Sequence, residues 1–163
     1  MNATTIRSEA SHRPSHAELS LLLDRERNVI VTAASESIRH SRTRYETAER
    51  DETRRRLDAL YDQLCAAVWS RDLTRITQFA QHLAAERFRF GYDLSEVQTA
   101  INALEEAAWR TVCAQLPPDQ HALALGLVST VLGAAKAELA REYVSLASRT
   151  HVKSLDLSAL FSG

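Results

Sequence analysis

Apolar positions recur every three or four residues along most of this chain, and no stretch alternates residue by residue as a strand would. That period marks helices with one buried face. A first helix is predicted from Ser15, where Ser15 and Glu18 form a capping box, with Leu19, Leu22, Leu23, Val29, Ile30 and Ala33 as a loosely spaced apolar set. The spacing of Leu57, Leu60, Leu64 and Val68 predicts a second helix over about 42–71. A third covers about 73–90, with Ile76, Phe79, Leu83, Arg87 and Phe90 on one stripe and Arg75, Gln78, His82, Glu86 and Arg89 opposite. Val97, Ile101, Leu104, Ala108 and Val112 mark a fourth over 94–115, which Pro117 and Pro118 stop. The fifth opens with Pro118 and Asp119 in its first turn and runs to about Arg149. Its middle, "ALALGLVSTVLGAAKAEL", is apolar nearly all round. Such a helix is either central in its bundle or buries a second face in another subunit.

The expected fold is therefore all-α: an elongated bundle of about five antiparallel helices with short connections. Residues 1–14 are polar and aperiodic, and are expected to be a disordered arm ahead of a bundle domain over 15–150. The segment 151–163 keeps Val152, Leu155, Leu157, Leu160 and Phe161, so it is expected to dock on the bundle or on a partner.

Composition narrows the functional classes. With 45% hydrophobic and 25% charged residues the chain has the make-up of an ordinary soluble domain, and 4 Gly with 3 Pro leaves room for few turns. A net charge of −1 offers no global attraction to nucleic acid or anionic membrane. The most apolar run, 122–135, is shorter than the ~18 residues of a membrane span. No signal-peptide pattern is visible, which makes the cytoplasm the expected location. Cys65 and Cys113 lack any CxxC spacing and read as two reduced thiols. Between residues 39 and 56 seven Arg face four Asp or Glu, but the charges alternate in sign, as on a solvated helix face; Glu46–Arg50, Asp51–Arg55 and Glu52–Arg56 are i,i+4 pairs.

Candidate chemistry is sparse. The nucleotide, metalloprotease, hydrolase-elbow and calcium-loop motifs are all missing, and Glu105 and Glu106 are neighbours that point apart on a helix. His82 shares the polar face with Gln78 and Glu86, where a haem ligand would find no apolar pocket. No histidine has a second one at i+3 or i+4. Neither a catalytic residue, a metal nor a cofactor is expected. Arg87 stands out as a guanidinium on an apolar stripe. It either snorkels to the bundle edge, pairs with an acid such as Glu96 or Glu105, or binds an anionic ligand.

The stretch "FGYDLSEV" after that arginine reads as a helix corner. Gly91 suits the left-handed position that closes one helix, while Asp93 and Glu96 form the capping box of the next. Tyr92 and Val97 have the spacing of a hydrophobic staple. A DNA-reading helix-turn-helix is excluded because residues 94–116 hold Glu96, Glu105 and Glu106 against Arg110 alone.

Within "RDLTRITQFAQHLAAERFRFGYDLSEVQTAINALEEAAWR" (71–110), the positions Leu83, Ala84, Arg87, Gly91, Leu94, Ser95, Glu96 and Val97 resemble the N-terminal domain of RsbRD-type co-antagonists of the switch kinase RsbT. The chain is also similar to the helical N-terminal domain of RsbU-type phosphatases, with a looser match over 45–149. The resemblance implies a non-enzymatic regulatory module of bacterial stress or sigma-factor signalling. It would act through homodimerisation and contact with a switch kinase or another regulatory protein. With no STAS-like or phosphatase segment after Gly163, a partner-binding regulator or dimerising scaffold is expected. The dimer interface is expected on the fifth helix at Leu125, Val128, Leu132 and Leu139. A reading from another class is a small-molecule sensor, its ligand held between helices beside Arg87, Tyr92 and Trp109.

Overall fold

A computed structural model describes residues 16–41 and 47–154, with side chains described over 16–39 and 51–150. The described residues form five helices and no strand: α1 (His16–Ser41), α2 (Thr47–Ser70), α3 (Thr74–Arg89), α4 (Leu94–Gln115) and α5 (Pro118–Ser154). The expected all-α bundle is the observed fold. The arm 1–14, the Ser15 cap and the Glu46–Arg50 pair lie outside the described residues. So does the tail beyond Ser154, whereas 151–154 continue α5.

Chain direction alternates from helix to helix. Tyr61 of α2 donates its hydroxyl hydrogen to Leu23 O of α1 at 2.6 Å, and Arg54 of α2 reaches Thr32 of α1, so this pair is antiparallel. Alternation makes α3 and α5 parallel neighbours, as the Gln81–Glu138 and Phe88–Tyr143 contacts confirm. Their packing is the most extensive in the bundle. Ala80 and Ala84 on α3 and Ala135 on α5 are buried there, and such short side chains let two helices approach closely.

Burial explains why the first helix looked irregular. Its core stripe is Leu19, Leu22, Leu23, Ile30, Val31, Ala34 and Ile38, and the turn between Leu23 and Ile30 belongs to Arg27. The Arg27 guanidinium pairs with Asp58 and Asp62 on α2 and lies 5.4 Å from the Tyr61 ring centroid. Its hydrogen bond to Asp62 raises its pKa against the cost of burial. Val29 and Ala33, expected in the stripe, lie about 100° round the helix from their buried neighbours and are exposed. On α2 the expected set holds: Leu57, Leu60, Leu64 and Val68 are all buried. The Glu52–Arg56 pair is formed, whereas Arg55 turns to Glu52 and to the Asp51 backbone oxygen.

The α2–α3 link has no glycine and needs its own devices. Arg71 ends α2 at φ 58°, the left-handed region, and its N–H closes on Ala67 O at 2.9 Å. Asp72 then starts α3 by accepting from the Thr74 N–H and hydroxyl at 2.9 and 2.7 Å. Those hydrogen bonds, the backbone one foremost, lower the Asp72 pKa.

The central helix is α4, not α5. Val97, Ile101, Leu104, Ala108 and Val112 are buried as expected, and Ala103, Glu105, Ala107 and Thr111 widen the buried arc. α4 touches all four other helices. α5 instead buries one stripe, through Ala124, Val128, Val131, Leu132, Ala135, Leu139 and Tyr143. At 37 residues it is roughly 55 Å long and overshoots the 22-residue α4 by about 20 Å. Residues 118–150 are long and apolar enough to cross a membrane by length and composition, although the 122–135 run looked too short. The stripe that α5 seats on α3 and α4 gives it the character of a bundle helix.

Candidate functional site at the corner of α3 and α4

The corner is built by backbone first. Gly91 adopts φ 78°, and two hydrogen bonds close α3 around it: Gly91 N to Phe88 O at 3.0 Å and Tyr92 N to Arg87 O at 3.1 Å. This 5→2 and 6→1 pair is the Schellman arrangement, in which glycine avoids the Cβ penalty of the left-handed conformation. Asp93 follows in extended conformation as the N-cap of α4. The Glu96 carboxylate accepts from Asp93 N at 3.0 Å. In return the Glu96 N–H is shared between the Asp93 carbonyl oxygen, 3.1 Å away, and the Asp93 side chain, which completes the capping box.

A Schellman turn commonly seats an apolar contact between the second residue after the cap and the third before it. Here those residues are Tyr92 and Arg87, and the contact is a cation over a ring. The guanidinium carbon lies 4.6 Å from the Tyr92 centroid. Arg87 is only 5% exposed, so it is buried and does not snorkel to the bundle edge. Nor does it pair with the acids expected for it. Glu105 is taken by Lys136 on α5 at 2.6 Å, and Glu96 caps α4. Its partner is the adjacent Glu86, with Nη2 to Oε1 at 2.7 Å, while Nε is buried without a hydrogen-bond partner.

Around this pair the corner ties four helices together. Glu86 also meets Arg56 of α2 at 3.4 Å. The hydrogen bond from Arg87, then the charge of both arginines, holds the Glu86 carboxyl below its ordinary pKa of 4.5. On the far side Tyr143 of α5 donates its hydroxyl hydrogen to Tyr92 O at 3.2 Å. The same ring meets Phe88 edge-on, with centroids 5.7 Å apart. Burial raises the Tyr143 pKa, and the nearby Arg87 charge opposes that rise.

The residues expected to share a ligand do not form one site. Arg87 and Tyr92 are in contact, but Trp109 sits elsewhere, its Nε1 donating to Ser129 Oγ at 3.2 Å. Ser129 and Tyr143 are fourteen residues apart on α5, so the two ends are roughly 21 Å apart along the helix. Phe90, expected on the buried stripe of α3, is 64% exposed because the chain leaves helical geometry there; the stripe runs through Ile76, Ala80, Ala84 and Arg87. Of the four residues assigned to a dimer interface, Val128, Leu132 and Leu139 are fully buried within the protomer, leaving them no surface for a second copy. Leu125 is half-buried.

Tyr143 had no assigned role in the sequence, and Glu86 and Arg56 were read only as a polar-face residue and as the partner of Glu52. Tyr143 continues the Leu132–Leu139 spacing of α5 and was legible as a core position. The Glu86–Arg87 pair was not, since neighbours on a helix ordinarily point apart. What the corner can do is mechanical: it fixes the positions of α2, α4 and α5 relative to the end of α3.

No curated protein matches the chain. The family model described as the RsbT co-antagonist protein rsbRD N-terminal domain matches residues 22–156, which takes in the corner, all of α2 to α5 and most of α1. The chain therefore belongs to this family of regulatory domains of stressosome and sigma-factor signalling.

Proposed function

We propose that the chain is a cytoplasmic regulatory module that acts through protein–protein contact, as a homodimer whose second copy covers the outer face of α5. One observation carries the dimer: α5 is more apolar than its own bundle requires. Its most apolar stretch has a mean hydropathy of 1.5, yet a third of it is buried in the protomer. Along the helix Leu123 and Val144 are 44% and 64% exposed, whereas Leu125 packs against the protomer's own core. An apolar helix face left open in this way is the ordinary substrate of association. This moves the proposed contact from Val128, Leu132 and Leu139 to the opposite side of the same helix.

The second partner in this reading is a switch kinase or another regulatory protein of the same signalling system, as family membership suggests. The bundle supplies a rigid frame, and the α3–α4 corner couples α5 to α2. Size-exclusion chromatography with light scattering at micromolar concentration tests the homodimer, and a monomer throughout rejects it. Recovery of a switch kinase or anti-sigma factor with the tagged chain from its own host tests the partner. Recovery of neither rejects that assignment.

A further inference from the structure

A cleft of about 190 Å³ opens between the C-terminal half of α1 and the N-terminal half of α2. Ile38, at 6% exposure, is its one apolar residue and lies beneath the carbon stems of the polar and charged residues around it. Two arginines stand on its walls. Arg54 is held in place, with Nη1 donating to Thr32 Oγ1 at 3.0 Å and Nε to Asp58 Oδ2 at 3.4 Å. Its Nη2 has no partner among the described residues. Arg39 has neither a hydrogen bond nor an ion pair among them. Ser35 and Thr53 add hydroxyls, and Glu36, which already has an interaction of its own, offsets one of the two positive charges.

We propose that this cleft binds a small organic carboxylate, its apolar body on Ile38 and its oxygens on the free donors of Arg54 and Arg39. Size sets the upper bound. An apolar cavity of about 150 Å³ holds benzene, so this space takes one ring or a short branched chain with a single charged group. Charge sets the sign, because two guanidinium groups with unused donors in a half-enclosed cleft select an anion, and the planar fork of arginine matches a carboxylate. Ile38 and the carbon stems around it favour a carboxylate with a hydrocarbon body over a bare inorganic anion. Preorganisation favours binding, since Thr32 and Asp58 already fix the Arg54 side chain. The proposal is independent of the dimer on α5.

The test is a titration of the isotope-labelled chain with benzoate, followed in amide ¹H–¹⁵N spectra. Benzyl alcohol and inorganic phosphate run in parallel. Saturable shifts confined to residues 32–39 and 53–54 are expected with benzoate, about tenfold tighter than with benzyl alcohol and tighter than with phosphate. Arg39→Gln, at a position with no partner among the described residues, weakens benzoate about tenfold and leaves the rest of the spectrum unchanged. Arg54→Lys keeps the charge but loses the fork, and also weakens it. The proposal is overturned by the absence of saturable shifts, by shifts elsewhere, or by benzyl alcohol or phosphate binding as tightly as benzoate. Unaltered benzoate affinity in both variants overturns it too.

Discussion

The Arg87 guanidinium lies 4.6 Å from the centre of the Tyr92 ring, across the glycine that turns the chain from α3 into α4. The long stem of this side chain fills a core position, and its head bridges the corner to Glu86. The pair of residues thus replaces the apolar clasp that such turns usually carry. Packing and charge make separable contributions, and substitution distinguishes them. Arg87→Ala removes the stem, the ring contact and the ion pair together, and is expected to cost about 2–3 kcal/mol in urea unfolding. Arg87→Met keeps most of the volume and leaves no buried donor unpaired, so it is expected to stay within about 1 kcal/mol of the parent. Equal losses in the two variants would show that charge, not packing, holds the corner.

Acid should loosen the same corner. The folded Glu86 carboxyl lies below its ordinary 4.5, mainly through the Arg87 hydrogen bond. Its contribution is therefore present above the unfolded value and is lost as pH falls through the folded one. Glu86 is 44% exposed, so solvent screening keeps the effect to well under about 1 kcal/mol. Unfolding measured from pH 6 down to pH 3 should show the parent and Glu86→Gln converging below about 4.5. A constant difference across that range contradicts the assignment.

Backbone conformation gives opposite predictions at two link residues. Gly91 sits at φ 78° with open space where a Cβ would stand, so Gly91→Ala pays the left-handed penalty alone, about 1 kcal/mol. Arg71 already bears that penalty at φ 58°, and its exposed contact with His16 is worth little. Arg71→Gly is expected to stabilise the fold by up to about 1 kcal/mol. Thermal or urea unfolding of both variants checks the signs, and agreement of the two signs refutes the account.

The two thiols should differ sharply in reactivity. Cys113 is exposed, whereas Cys65 is half-buried and burial pushes its pKa from 9.0 to about 11. The upward shift alone lowers the reactive thiolate fraction roughly 100-fold. A thiol-reactive chromophore added to the native protein should give one fast and one slow phase. Cys113→Ser should abolish the fast one.

Much of this fold was legible because its regular stripes are local. α4 was bounded residue by residue, from the Asp93 cap to the prolines after Leu116, and Gly91 announced the turn before it. The stripes on α2 and α4 proved buried as spaced. What failed was whatever depends on neighbours in space. Val29 and Ala33 looked like core until the Arg27 turn showed where the α1 stripe runs. α5, apolar nearly all round, was expected to be central or to bury a second face in another subunit; α4 is the more deeply buried of the two within the protomer. Arg87, Tyr92 and Trp109 were grouped by residue type, whereas the rise of α4 separates the last from the others. The identity of the acid beside Arg87 could not be read from spacing, since it is the adjacent residue.

The central claim is that α5 presents its outer face to a second copy of the chain. Sedimentation equilibrium of the full chain across a concentration series tests it most directly, beside the double variant Leu123→Glu with Val144→Glu. Both substituted side chains are exposed in the protomer, so neither change disturbs its core. The account predicts twice the 18.2 kDa chain mass for the parent and a shift to the single-chain mass for the variant, with helical content unchanged. A parent that sediments at the single-chain mass at every concentration contradicts it, as does a variant that remains dimeric.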